Sequence, residues 1–444
     1  MMNNPSSKNL EQTRKALGEE FDELKFSIEE LRAGKFPISQ YEEVFERVQR
    51  LKGLYEQQIK DLSIALPGGT MLLRPQYEAV ALLAANNNIR FSKLLDRITI
   101  EGNVIVECNF ESCHLRTLEG LQGVWSLKKL VVTGNGDVTS LKGIPTQEIE
   151  EIDASSCGLT GDLVELVRAT RLKRLSVYNN PGLTTLKGIS VSAIEEIDAS
   201  CCALTGDLSE IAGAKKLSWL DVEDNHGLTS LRGVPTQQIE TIKASRCSLT
   251  GDLAEIAGAS KLKRLCLDDN PGITSLKGIP TRRIEEISAW CCGLTGDLSE
   301  ISGARKLLEL SVGGNKGITS LRGIPMQQIQ YLVAPGCGLT GDLLEIAAAS
   351  QLKILVVSDN PDLTSLKGIP IREIQVIHAS GCGLTGDLSE LAGARRLKTL
   401  DVSRNEALTS LTGIPTKTKI HLGDLTLEEA MARNPQLNYD VFPD

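Results

Sequence analysis

Aromatic residues are scarce in this chain: phenylalanine, tryptophan and tyrosine make up 4% of its 444 residues. Long apolar runs are missing as well. Nothing approaches the roughly 18 consecutive apolar residues of a membrane-spanning helix, so no span is expected. Residues 1–8 contain neither the apolar core of a secretory signal nor an arginine-rich transit pattern. No Asn-x-Ser/Thr acceptor with x other than proline occurs, which favours an intracellular, cytoplasmic setting. The net charge of −9 leaves no broad basic face, so general nucleic-acid binding is not expected.

Catalytic motifs are also lacking. There is no Gly-x-x-x-x-Gly-Lys-Ser/Thr phosphate loop and no His-Glu-x-x-His zinc helix. The histidines, His114, His226, His378 and His421, are scattered, and no triad can be assembled from them. The segment from Asp221 to Gly227 resembles a calcium loop only faintly. Its glycine falls one place late, and Arg232 stands where the closing glutamate belongs. No enzyme, cofactor or metal site is expected.

What the chain does have is glycine, 40 residues of it, and a hydrophobic fraction of 41%, enough for a large core. Both are organised by repetition. Leu-Thr-Gly-Asp-Leu begins at Leu159, Leu204, Leu249, Leu294, Leu339 and Leu384, always 45 residues apart. In the same period, Asn180, Asn225, Asn270, Asn315, Asn360 and Asn405 open Asn-x-x-Leu/Ile-Thr-Ser/Thr-Leu, and Asn135 starts the series one period earlier. Each period splits in two. One half runs Leu172, Leu175, Val177, Asn180, Leu183, Leu186; the other runs Ile194, Ile197, Ala199, Cys202, Leu204.

This is the spacing L-x-x-L-x-L-x-x-N/C-x-L, and the chain resembles the leucine-rich-repeat family over about residues 105–420. Fourteen repeats are counted, starting at 105, 127, 149, 172, 194, 217, 239, 262, 284, 307, 329, 352, 374 and 397. The asparagine halves look like the 22-residue type of phosphatase regulators. The cysteine halves resemble the plant-receptor type, without its proline. The resemblance implies an α/β solenoid, a curved array with a parallel β-sheet on its concave face. In each coil a short strand turns Leu175 and Val177 inward, and Asn180 follows as a ladder residue bonding backbone groups of neighbouring coils. Gly161 and Gly188 are expected in tight turns.

Cysteine totals eleven. Cys113, Cys157, Cys202, Cys247, Cys292, Cys337 and Cys382 take the ladder place, whole repeats apart, which favours packing over metal or disulfide. Cys266 and Cys291 are read as outward by strand alternation. They are candidate reactive thiols without an evident activating neighbour.

Outside the repeats, residues 1–7 are expected to be disordered and 8–66 to form a helical hairpin or coiled coil. Its apolar seams are Leu17, Phe21, Leu24, Ile28, Leu31 and Val44, Val48, Leu51, Tyr55, Ile59, Leu62. These helices could support self-association. Residues 67–104 read as a linker and N-terminal cap, and 421–444 as a C-terminal cap and tail with a helix near 425–431.

The inward positions hardly change between coils, whereas the outward ones are individual, as a binding surface would be. Two outward groups stand out. Tyr331, Val333, Pro335, Ile354, Val356 and Val376 form an apolar cluster, expected to be exposed, with His378 at its edge. Tyr178, Trp219, Asp221, Glu223, Lys243, Arg264, Asp268 and Trp290 form an aromatic and charged one. Against the first, the tail with Tyr439 and Phe442, or the arm, could fold back over it. The function expected is a non-catalytic protein-binding scaffold or adaptor using the concave surface. The alternatives are a structural subunit of a cytoskeletal, ciliary or ribonucleoprotein assembly, or a phosphatase-type regulatory subunit.

Overall fold

The computed structural model describes residues 46, 48–50, 52–53 and 62–423. The readings for residues 1–7, most of the 8–66 arm, the helix near 425–431, and Tyr439 and Phe442 therefore lie outside the described residues. The described residues fall into two compact units. One takes in the chain up to Asn109 together with Glu119–Lys128 and Gly143–Pro145; the other takes in Phe110–Leu118, Lys129–Lys142 and the chain from Thr146 onwards.

In the first unit, β1 (Ser63–Ala65) and β2 (Met71–Leu73) form an antiparallel hairpin. The sequence reading ran a helix to residue 66, and the structure corrects it. Pro67-Gly68-Gly69 reverses the chain there, with φ of 91° at Gly68 and 84° at Gly69, so the flanking residues pair as strands. Next comes α1 (Arg74–Asn86), opened by a proline in its first turn. It buries Gln76, Ala79, Val80, Leu83 and Ala84, a stripe at helical spacing. Gln76 is fully buried and hydrogen-bonded through both its amide nitrogen and its amide oxygen. Its Nε2 donates to Ser126 Oγ at 2.6 Å, and its Oε1 accepts from the Ile105 amide at 2.6 Å. The short helix α2 (Phe91–Leu95) precedes an antiparallel pair, β3 (Ile98–Glu101) and β4 (Val104–Asn109). The strand of the first counted repeat, starting at 105, thus belongs to this unit, whereas its Phe110–Leu118 segment belongs to the second.

The second unit is a solenoid. Its main sheet holds β5 (Lys129–Val131), β6 (Glu151–Asp153), β7 (Arg174–Ser176), β8 (Glu196–Asp198), β9 (Trp219–Asp221), β10 (Thr241–Lys243) and β11 (Arg264–Cys266). It continues with β12 (Glu286–Ser288), β13 (Glu309–Ser311), β14 (Tyr331–Val333), β15 (Ile354–Val356), β16 (Val376–His378), β17 (Thr399–Asp401) and β18 (Lys419–His421). Every neighbouring pair is parallel, and the register never slips. β18 runs to His421, so the array extends one strand past the last counted repeat start. Between strands, the core is filled by the repeated apolar positions. Leu175, Val177, Leu183 and Leu186, for example, are each at most 2% exposed. Burying one such side chain contributes about 1.5–3 kcal/mol.

The asparagine series does form a ladder, but no asparagine bonds another. Asn180 Oδ1 accepts from the Leu159 amide at 3.0 Å. Its Nδ2 donates to Ala154 O at 2.9 Å in the preceding coil and to Val177 O at 2.7 Å in its own. The cysteines continue the chain of bonds. Cys202 Sγ lies 3.3 Å from the same Val177 carbonyl, which thereby accepts from both sides. Burial pushes the Cys202 thiol up to about 11, so it stays protonated and able to donate at neutral pH. Cys247 and Val222, Cys292 and Leu267, Cys337 and Val312, and Cys382 and Val357 repeat the contact.

Away from the strands a second series recurs. Ser275 Oγ donates to Glu300 Oε1 at 2.6 Å while the Leu276 amide donates to Glu300 Oε2 at 2.7 Å. Ser320, Leu321 and Glu345 do the same. Gly188 marks where the turn admits nothing larger: φ is 99°, and a Cβ there would sit 2.4 Å from the Leu163 carbonyl group.

Two variants probe the ladder. Asn270→Ala removes bonds to the Leu249 amide and to the Ala244 and Leu267 carbonyls. It should lower stability by about 1–3 kcal/mol or more, because the orphaned groups stay buried. Cys247→Asp places a carboxylate against the Val222 carbonyl and should cost more. Urea unfolding midpoints measure both; parental midpoints would show that the ladder contributes nothing.

Candidate binding surface on the sheet

The unbroken register turns the outward side chains into rows. The first residue of each strand makes one row, the third a second, and the residue two places further a third. All fifteen residues singled out from sequence fall on these rows. Trp219, Arg264, Tyr331, Ile354 and Val376 lie on the first, and Asp221, Lys243, Val333, Val356 and His378 on the second. Tyr178, Glu223, Asp268, Trp290 and Pro335 lie on the third.

The apolar cluster is brought together as one strip. Tyr331 faces Ile354 and Ile354 faces Val376 in register, while Val333 faces Val356 and Val356 faces His378. The side chains are half-buried rather than fully exposed. Parallel strands lie about 4.8 Å apart, so neighbouring branched side chains cover one another's flanks.

The strip also gains a member from the other cluster. Trp290 reaches across Gly313 towards Pro335. A Cβ on Gly313 would be 2.8 Å from Trp290 Cζ2 and 2.9 Å from Pro335 Cδ. The indole N–H donates to Ser311 Oγ, and the Trp290 amide donates to Asp268 Oδ1 at 2.8 Å. Sequence reasoning missed this juxtaposition. The available signal was Gly313 itself, the one outward triplet position filled by glycine.

The mixed cluster resolves differently, because much of it is occupied with itself. Asp221 is only 5% exposed and lies 3.2 Å from Lys243 Nζ. Burial pushes its carboxyl up, against the pull of the Glu223 amide and the Lys243 charge. Burial also works to lower the Lys243 ammonium, but the Asp221 carboxylate beside it carries the balance upward. Lys243 Nζ also stands 5.5 Å from the centre of the Trp219 ring. Asp268 accepts from Ser288 Oγ at 2.7 Å as well as from Trp290. Tyr178 and Arg264 remain exposed.

Two further features were not singled out from sequence. A depression of about 330 Å³ is lined by Lys129, Glu151, Asp153, Arg174, Ser176, Glu196, Asp198 and Trp219, among others. Glu151 is shared there by Arg174 and by Lys129, the latter at 3.9 Å. The second feature is a pair of like charges: Glu286 and Glu309 face each other in register. Burial, and then the Glu286 charge, push the Glu309 carboxyl up.

The thiols read as outward differ from expectation. Burial, with Glu286 and Asp268 nearby, pushes Cys266 up to about 12, which disfavours the nucleophilic thiolate. Cys291 is exposed, but not through strand alternation. It follows the strand in a left-handed turn with φ of 48°, the conformation of the residue before each ladder position from Gly134 to Arg404. Among the described residues, no group of three or more His, Cys, Asp or Glu could hold a metal ion, and no helix is long and apolar enough to cross a membrane.

Comparison with known proteins places the fold. No family model and no curated protein sequence matches the chain. Solved structures do. A leucine-rich-repeat protein of Leptospira interrogans is 19% identical with a TM-score of 0.53, over 72% of this chain and 80% of that one. An internalin, InlF, of Listeria monocytogenes is 15% identical with a TM-score of 0.51, over 85% and 91%. TLR13 in its complex with ssRNA13 is 15% identical with a TM-score of 0.56; the match covers 73% of this chain and 55% of that one. The chain has the leucine-rich-repeat fold.

The acidic pair makes a pH prediction. The folded chain holds a proton on Glu309 more tightly than the unfolded chain does, so the charged form weakens folding above the folded pKa. That penalty fades as pH falls through it. Glu309→Gln should therefore melt above the parent at pH 7.5, and the gap should close by pH 4. A variant that melts lower at pH 7.5 would contradict the direction.

Proposed function

We propose that this chain, with its leucine-rich-repeat fold, is a non-catalytic protein-binding scaffold that receives its partner on the outward face of β14–β16. The carrying observation is the register that sets Tyr331, Ile354 and Val376 side by side, with Val333 and Val356 beside them. An apolar strip on a solenoid face contributes nothing to the core behind it, and contiguous apolar surface of this kind marks contact sites. Trp290 and Pro335 add large, rigid groups of the sort that anchor interfaces. The mixed cluster offers less, since Asp221 and Lys243 already satisfy each other. A cytoplasmic setting and a second contact through residues 8–66 belong to the same reading.

The test compares Val356→Glu with Trp219→Ala, each assayed for melting temperature and for capture of the main partner from cell extract, read by mass spectrometry. Val356→Glu should keep the melting temperature within a few degrees and reduce capture at least tenfold, about 1.4 kcal/mol of binding. Trp219→Ala should leave capture near the parental level. Full capture by Val356→Glu, or its collapse in stability, would remove the strip from consideration. A partner that sediments only in a megadalton particle would point to an assembly subunit instead.

A further inference from the structure

The apolar strip has two unlike flanks. Beyond Val376 the first row continues with Thr399 and Lys419. On the other side Tyr331 faces Glu309, and Glu309 faces Glu286. Like charges directly opposite one another in a sheet are destabilising. Other acids of this face are held: Glu151 by Arg174 and Lys129, Asp221 by Lys243, Asp153 by Ser155 and Asp198 by Ser200. Glu286 and Glu309 are not. Neither makes an ion pair among the described residues, and Arg264, the next residue along the row, makes none with Glu286. Among the described residues, this facing carboxylate pair, neither member of which has an ion-pair partner, therefore borders the apolar strip. A violation of this kind, held in place by a regular sheet, is where a binding function is to be sought.

Resting on the reading of the strip as a contact surface, we propose that its occupant is an extended protein segment carrying a lysine or arginine followed by aliphatic or aromatic residues. The basic side chain lies between the carboxylates of Glu286 and Glu309, and the apolar residues lie on Tyr331, Ile354 and Val376. The partner's cation supplies the charge that the sheet lacks, and its apolar residues complete the covering of the half-buried strip. The geometry also sets a spacing. From the midpoint of the acidic pair to Ile354 is two and a half strand steps, about 12 Å at ~4.8 Å per step, or three to four residues of extended chain at ~3.3 Å each.

The experiment uses the full chain and a displayed library of random linear twelve-residue peptides, followed by affinity measurement on synthetic peptides made from the enriched sequences. Enrichment of Lys or Arg with an aliphatic or aromatic residue three or four places away is the expected result. Binding of these peptides should be lost in Val356→Glu and weakened at least tenfold in the double variant Glu286→Gln, Glu309→Gln. Replacing the peptide's arginine by uncharged citrulline should weaken binding to the parent chain to the same degree, and the citrulline peptide should no longer distinguish parent from double variant. The arginine-against-citrulline comparison on the parent needs no alteration of the protein, so it holds whatever the double variant's stability. Peptides that need Val356 yet bind parent and double variant equally, or that enrich no basic residue, would overturn the basic-partner proposal and leave the strip as a contact site. Failure to recover any peptide that Val356→Glu disrupts would overturn both.

Discussion

A single carbonyl carries much of the weight of this fold. Val177 O accepts from Asn180 in its own coil and from Cys202 in the next. Asn180 also reaches back to Ala154 and Leu159 in the coil before. Each ladder residue thus binds its coil to a neighbour with groups that would otherwise be buried and unpaired. Asparagine supplies two donated bonds and an acceptor; cysteine, smaller and less polar, supplies one weak donor. The two alternate because each completes what the other leaves. The consequence is a register without a slip, and from that register come the rows of the outward face. A shift of one residue in any coil would turn its core side chains outward.

The inward half of the structure was legible in the sequence, because burial permits few alternatives at those positions. Leu175, Val177 and Asn180 recur with their spacing intact, and the structure buries them as the pattern requires. Which residues line up on the outward face followed from the same period. Less legible was anything depending on side-chain direction. The Ser275–Glu300 contact joins residues far apart in sequence on an exposed surface, where no hydrophobic period marks it. Cys291 lies outward through a left-handed turn that strand alternation does not describe. Gln76, buried at 0% exposure, satisfies Ser126 and the Ile105 amide, neither adjacent to it in sequence. Asp221 occupies an outward position and is nevertheless buried, with Lys243 3.2 Å from its carboxylate.

The outward face shows what the candidate site required beyond the repeat. Sequence order placed Tyr331, Ile354 and Val376 together, but not Trp290 with them. That juxtaposition depends on Gly313 having no side chain, since a Cβ there would meet both the indole and Pro335. Nor did a list of outward triplets reveal which charges are answered. Glu151 and Glu309 are the same residue type on the same row. The difference lies in their neighbours: Arg174 and Lys129 for one, Glu286 and Tyr331 for the other.

These differences between coils are physically permitted by the solenoid itself. Stability in such an array is close to a sum of coil terms and nearest-neighbour terms, so an outward substitution is felt by the strands beside it and hardly beyond. The early strands can therefore be polar and self-paired while β14–β16 are apolar, with the same ladder behind both. Nothing in the ladder or the core asks for a strip of valine, isoleucine and tyrosine at that place, nor for two facing glutamates at its border. Their explanation has to be sought in what touches the face from outside.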